Sequence, residues 1–544
     1  MGRARRPAAR ADLVLANADV YTLDPGRPRA EAVAVRGARI LAVGAWADLR
    51  GLVGPDTVVV DAAGGVAVPA FHDAHLHLLS YARVATRLDC RDVRDLATLR
   101  ARLGAHARAL PPGAWVRAWG YDEARLREER HPDRHDLDAV VPDRPVRLQH
   151  RSLHLDVLNT AALRALGLLD NAPSVTGPAA RSPNELRSDI QLTDDSAAAI
   201  ERDPTNGTPT GRLYHAGALL RACVPRPAEG ELAAAVRAAS DRLLAWGVTS
   251  VQDASHTNGP AEWALFARLA ARGALGLRVS FVTRDALTLA LSQGKREQDG
   301  VPRLLLGPVK IMLDEATSDP AVVRVAVAAA HAAGRAVAIH AVSEAEVALA
   351  LDALAAARGY GGDPVRPPLP DRIEHGAVIP DAWLAELGAL GVMVVGQPAL
   401  VGERGDVYRA AYPSEQHGWL HRAGSLLRAS VGYAVGSDAP VMEPAPLLAL
   451  HALRQRRAPD GAVLGPAERL GLDDALAALT LGPARAVGAD GWLGRLRPGM
   501  IADIAVLDPD VLANDSAEAA RRPVRLTLTE GRVVWQRPAA ALGH

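Results

Sequence analysis

Two histidines two residues apart, His75 and His77, lie in the stretch Phe71-His72-Asp73-Ala74-His75-Leu76-His77-Leu78. They follow an apolar run, Gly65-Val66-Ala67-Val68-Pro69-Ala70, that reads as a short buried strand. Residues two apart on a strand point to the same side, so this pair can present two imidazoles to one point in space. Two neutral imidazoles converging in that way are half of a transition-metal site. A lone H-x-H is a weak signal, so the missing ligands must come from elsewhere in the chain. His340 ends the apolar segment Ala336-Val337-Ala338-Ile339-His340, His375 ends Arg372-Ile373-Glu374-His375, and Asp438 closes Val431-Gly432-Tyr433-Ala434-Val435-Gly436-Ser437-Asp438. Each has a plain structural alternative: His340 and His375 as core or capping histidines, Asp438 as an N-cap before a helix. Their recurrence in order at the ends of successive apolar segments favours a shared site. Asp253, at the end of Gly247-Val248-Thr249-Ser250-Val251-Gln252-Asp253, reads as a structural cap rather than a ligand.

Lys310 adds a different chemistry. Lys and Arg together number 62, yet only Lys295 and Lys310 are lysines. Lys310 stands inside Pro308-Val309-Lys310-Ile311-Met312-Leu313, where an unpaired ammonium is costly. A structural ion pair could tolerate arginine there, whereas a primary amine that reacts or is modified could not. Asp122, His154 and Gln397 are the candidate substrate contacts; His131, His135, His150, His215 and His256, on loops or in an insertion, read as ordinary.

The elements that must position these residues alternate short apolar strands with Ala/Leu-rich helical segments, the pattern of successive βα units. Counting the run before His75, the strand candidates begin near residues 65, 247, 277, 308, 336, 372, 392 and 431. Eight is the number a closed (β/α)8 barrel needs, and barrel active sites form at the C-terminal ends of the strands, where these polar residues collect. Both ends of the chain have a β texture, Asp12 to Val60 and Ala502 to Trp535, with turn residues closely spaced. The expected organisation is a composite β-sandwich from 1–65 and 488–544 and a barrel over 66–487. An insertion over about 85–240, with a Pro/Gly-rich loop around 171–212, could cover the barrel mouth.

Composition narrows the function. At 544 residues, 49% hydrophobic and 23% charged, the chain can bury a large core and has an ordinary enzyme composition. Its formal net charge of zero gives no reason to expect nucleic acid or an anionic membrane as partner. The apolar span Ala321 to Val342 is broken by Arg324, His331 and Arg335, which argues against a membrane helix. The Arg-rich start is followed by no apolar segment of signal-peptide type, and two cysteines, Cys90 and Cys223, are too few for a disulfide framework. The expectation is a cytoplasmic protein acting on a small molecule, with a homodimer as the candidate assembly.

On these residues the chain resembles the metal-dependent amidohydrolase superfamily, and within it amidohydrolase family 3, the branch that contains N-substituted formamide deformylases. The motifs run in order along nearly the whole chain: "AEAVAVRGARILAVG", "VPAFHDAHLHL", "LDAVVPDRPV", "GVTSVQDA", "GPVKIML", "IHA", "RIEHG", "GSDAPV" and "GRLRPGMIADIAVLD". The resemblance implies one or two Zn²⁺, or another divalent metal, held by His75, His77, His340, His375 and Asp438. It further implies that Lys310, carbamylated, bridges two metals and that Asp438 also carries the proton. Three loop positions depart from the branch pattern: Ser343-Glu344 after His340, Asp314-Glu315 after Lys310, and Tyr214-His215 after Thr210-Gly211. The expected activity is hydrolysis of a non-peptide carbon–nitrogen bond, amide, N-formyl or N-acyl. The alternatives are a metal-dependent esterase or lactonase, and a catalytically silent metal-binding barrel with a regulatory role.

Overall fold

A computed structural model describes residues 10–84, 87–152, 155–169, 200–214, 216, 219–220, 229–284, 302–315, 318–359, 367–512 and 516–538. His154 and His215 lie outside them, as does most of the 171–212 loop. The chain divides into two compact units, one of residues 1–81 with 236–544 and one of residues 82–235.

The larger unit is built on eight parallel strands: β1 (Phe71–Leu76), β2 (Val248–Asp253), β3 (Arg278–Thr283), β4 (Leu304–Met312), β5 (Val337–Ala341), β6 (Arg372–His375), β7 (Met393–Gly396) and β8 (Gly432–Val435). They pair in chain order from β1 to β8. The ring closes just beyond β8, where the amide of Asp438 donates to the carbonyl of His75 (2.7 Å) and that of His77 to Ala439 (2.8 Å). This is a (β/α)8 barrel. Among the described residues, no helix is long and apolar enough to cross a membrane.

Two strands differ from the sequence reading. The apolar run expected to open the barrel is Val66–Pro69, and it lies inside the six-stranded terminal sheet, antiparallel to Ile504–Leu507 on one side and parallel to Asp19–Tyr21 on the other. The barrel strand is the next one, Phe71–Leu76, and only Ala70 separates the two. All four residues of the first and all six of the second are buried. A short apolar run fits any strand covered on both faces, so apolarity alone could not assign the sheet. The second difference is β4, which begins at Leu304 rather than Pro308. Proline cannot donate to a ladder and reads as a strand start. Here the β3–β4 register shifts between Phe281 and Thr283, alongside Gly307 and Pro308, and the strand runs through.

The termini do pair. Leu526–Thr529 and Arg532–Gln536 extend the six-stranded sheet, and a four-stranded sheet of Arg39–Gly44, Ala32–Arg36, Leu13–Ala16 and Val58–Asp61 belongs to the same unit. Leu15, Val20, Val33, Ile40, Ala67, Ile504, Val506 and Leu528 pack into one cluster drawn from both sheets and both ends of the chain. Each of the valine, leucine and isoleucine side chains among them contributes on the order of 1.5–3 kcal/mol when fully buried.

The smaller unit carries its own six-stranded sheet, including Leu88–Asp89, Val116–Tyr121, Val146–His150, Leu155–Leu158 and Pro209–Tyr214. Leu99, Leu103, Val116, Leu137, Leu148 and Val157 lie in its core.

Candidate metal centre

β1 ends at Leu76, so His75 is the last polar residue of the strand and His77 the first residue beyond it. The same-side argument still holds: Nε2 of His77 lies 3.1 Å from Asp438 Oδ1, and Nε2 of His75 lies 3.5 Å from the same oxygen. The three side chains offer donor atoms that all lie within 4.8 Å of one another. The other ring nitrogens are engaged elsewhere. His75 Nδ1 bonds Glu374 Oε2, and His77 Nδ1 lies 3.1 Å from Ser255 Oγ. Those partners would let each Nδ1 carry the ring proton and leave the Nε2 atoms, which face Asp438, to a bound metal ion.

Asp438 is not a helix cap. The next helix is Pro446–Gln455, with Ala445 at its N-cap, while the Asp438 side chain turns to the two histidines. Asp253 is a structural cap: its carboxylate accepts from the amide of Leu78 (2.8 Å), where a helix begins directly after His77, and from Ser255 and Asn258. It thereby fixes the chain on which His77 sits.

The second pair of histidines comes from β5 and β6. His375 Nε2 is 2.9 Å from His340 Nδ1, and the two ring centroids are 4.5 Å apart. The His375 ring also lies 4.8 Å from that of His75. Gln397, expected as a substrate contact, takes His375 Nδ1 on its carbonyl (2.9 Å) and gives its amide to Val395 O (3.3 Å). Those are the contacts of a residue that orients His375. Lys310 lies in β4 opposite Ala338, buried, with its charge felt by His75, His340, His375 and Glu374. Asp122 belongs to the smaller unit, where its carboxylate meets Arg151 (3.2 Å).

Burial sets the protonation of the cluster. It pushes His75 down to about 3, with Lys310 adding to the effect and Glu374 opposing it. It pushes His340 down to about 2, helped by His375 and Lys310. His375 is lowered by the same cause. Burial also lowers Lys310, against the pull of Glu374 and Asp438. For Asp438 burial would raise the pKa, but the hydrogen bond from His77 and the nearby histidines hold it well below the usual carboxylate range. With the imidazoles of His75, His340 and His375 held neutral and Asp438 ionised, these groups have at neutral pH the protonation state a divalent cation requires of its ligands.

Two carboxylates escaped the sequence reading. Glu374, fully buried on β6, bonds His75 and pairs with Arg372 (2.5 Å). Burial would raise its pKa, but Arg372 and His75 pull it below the usual range. Asp73 accepts from the amides of His75 (3.1 Å) and Ser437 (2.9 Å), tying β1 to the turn after β8. The available signal was charge on a strand that had to be buried: Arg372 and Glu374 beside His375, and Asp73 between His72 and His75. The donor set fits a divalent ion of borderline softness, and a Zn²⁺ would take two imidazoles and a carboxylate at about 2.0–2.2 Å.

The chain belongs to the amidohydrolase family, whose model matches residues 58–535. It is 30% identical to the N-substituted formamide deformylase of Arthrobacter pascens, over 97% of this chain and 98% of that protein. It is 27% identical to the protein LONG AFTER FAR-RED 3 of Arabidopsis thaliana, over 91% of this chain and 87% of that one. Among solved structures, a metal-dependent hydrolase from Pyrococcus horikoshii OT3 shares the fold with a TM-score of 0.70 at 22% identity, covering 92% of this chain and 98% of its own.

Proposed function

We propose that this protein hydrolyses a non-peptide carbon–nitrogen bond in a small N-formyl or N-acyl amine, in the cytoplasm. The site is a zinc centre held by His75, His77, His340, His375, Asp438 and Lys310. The observation that carries the reading is the convergence of His75 and His77 Nε2 on one oxygen of an ionised Asp438. A bound Zn²⁺ supplies a polarised carbonyl and a water acidified to near neutrality. Asp438 takes the proton of the attacking water and hands it to the leaving nitrogen, which departs only once protonated. Glu374 keeps the Nε2 of His75 free of a proton by occupying Nδ1, and Gln397 does the same for His375. Lys310, whose pKa burial lowers toward the neutral form, is the amine that would add to CO₂. Its nitrogen bonds the carbon and releases one proton, and the product is a carbamate with two oxygens able to span two ions, a route closed to arginine.

The test is a screen of N-formyl and N-acyl amines against aryl esters and lactones, with metal content measured alongside. Formamides head the screen because of the similarity to the Arthrobacter enzyme. The reading expects amide turnover that disappears with bound zinc in His75→Ala or His77→Ala. Turnover of esters alone would replace it with an esterase or lactonase. Full metal with no turnover would leave a silent barrel. Lys310→Ala should lose activity together with a metal ion, and an unchanged metal count would remove the carbamate bridge.

A further inference from the structure

On the zinc reading of the barrel site, we propose that Gln252 is a positioning residue for the metal centre. It sets the orientation of His75 through Arg372 and Glu374, from the opposite wall of the barrel. The ring order places β2 four strands from β6, so Gln252 on β2 and Arg372 on β6 meet across the barrel interior. Nη1 of Arg372 donates to Gln252 Oε1, and its Nε lies 2.5 Å from Glu374 Oε1. The other oxygen of Glu374 bonds Nδ1 of His75 on β1. The contacts therefore run from β2 to β6 and on to β1.

The members of this chain of contacts constrain one another. Gln252, Arg372 and Glu374 are all fully buried. A guanidinium out of reach of water must find its acceptors in the protein. Among the described residues, those that Arg372 meets are Gln252 and Glu374. Glu374 gives one oxygen to Arg372 and the other to His75, so the place of the guanidinium decides where the carboxylate meets the imidazole.

The amide of Gln252 has one orientation that suits its neighbours. Its Nε2 lies 2.9 Å from the carbonyl of Pro483, which can only accept, and its Oε1 faces Arg372, which can only donate. Turning the amide over would set acceptor against acceptor at one end and donor against donor at the other. The second Nε2 proton is left for His72 Nε2, 3.3 Å away. Burial pushes that imidazole down to about 3, so it is neutral and can accept. Gln252 is thus held at its nitrogen end by Pro483 and His72 and presents a fixed oxygen to Arg372. A glutamine that only solvated a buried arginine would matter to stability and not to the metal. One that positions His75 matters to both, because the partners behind a metal ligand fix its ring.

The test is a zinc titration of the metal-stripped full-length protein against a competing chelator, in wild type, Gln252→Met, Glu374→Gln and the two combined. In Gln252→Met the His75-dependent zinc affinity should fall by about 10- to 100-fold, as when a partner behind a metal ligand is lost. The Co²⁺ absorption bands of that site should shift with it. In the combined variant the two losses should not add, since Gln252 acts through Glu374. Val279→Ala, in the buried wall of β3 and outside these contacts, measures simple loosening of the barrel. It should lower the melting temperature while zinc affinity and the Co²⁺ spectrum stay as in wild type. Unchanged zinc affinity in Gln252→Met would overturn the proposal, as would additive losses in the combined variant or an equal loss in Val279→Ala. If Gln252→Met loses its circular dichroism signature, Gln252→Asn, whose amide is too short to reach Arg372, is read by the same titration against the same outcomes. A wild type without His75-dependent zinc would remove the zinc reading itself. His75-dependent zinc held equally by wild type and the Gln252 variants would remove the role of Gln252 alone.

Discussion

Asp438 and His375 are the two candidate ligands held at positive φ, +57° and +73°. A non-glycine residue there costs on the order of 1–3 kcal/mol and persists where its surroundings insist on it. For Asp438 the insistence is visible: its amide is spent on His75 O and its carboxylate on His77. Asp438→Asn keeps that shape and most of the metal but gives up the proton acceptor, so kcat should fall by about 10²–10⁴, typical of a missing acid or base. Steady-state kinetics with metal analysis on the same sample would check this, and a kcat like that of wild type would deny Asp438 the proton. The buried histidines also make a pH prediction for the metal-free protein. His72, His75 and His421 are each pushed down to about 3, first by burial. The unfolded chain, with histidines near 6.5, binds more protons than the folded one between these values. Stability is therefore full above about pH 6.5 and falls as pH drops toward 3. The urea midpoint should decline through that window; a flat profile would mean the imidazoles are charged in the fold. At this scale the sequence was readable where residue type and local spacing carried the signal, as in His75-x-His77 or the capping Asp253. It was not readable for Glu374, whose partner His75 is 299 positions away. No local pattern encodes such a bond.

The strands hold the site by close approach as much as by hydrogen bonds. A Cβ added to Gly436 would lie 2.5 Å from Cβ and 2.8 Å from N of His75. The turn after β8 reaches β1 only because that position has no side chain. Gly436→Ala should push the two strands apart and cost about 1–3 kcal/mol as an overpacked site, with a larger proportional loss in zinc affinity than in melting temperature. An unaltered zinc affinity would show that the ligand geometry tolerates movement of His75. Eight parallel strands were readable from apolar segments spaced by helical ones. The first was displaced by one element because Val66–Pro69 and Phe71–Leu76 are both buried on both faces, and the polar one happens to line the barrel. β4 was shortened because a mid-strand proline looks like a beginning until the bulge beside it is known.

Over the whole larger unit, barrel and sandwich are joined by charge as well as by apolar packing. Arg278 on β3 is fully buried, bonded to Asp503 and 2.7 Å from Glu530, both in the C-terminal segment. Removing one member of a buried pair strands the other, at about 3–5 kcal/mol. Arg278→Met should lower the melting temperature by that measure and, if the two layers stand together, keep a single calorimetric transition. Two separated transitions would show that the layers unfold independently. That the two ends of the chain share a sheet was legible from their common β texture, but the ion pair that ties that sheet to the barrel was not, since Arg278 reads as one arginine among many. The pairing of Pro69 with Ile504 carries a cost during synthesis. Val66–Pro69 leaves the ribosome 435 residues before its partner, since 504 − 69 = 435. At about 5–20 residues per second it waits roughly 20–90 s with one edge bare. A chain stopped at residue 500 would contain all eight barrel strands and still present that open edge, immediately upstream of the histidine-bearing strand, to any other unfinished copy.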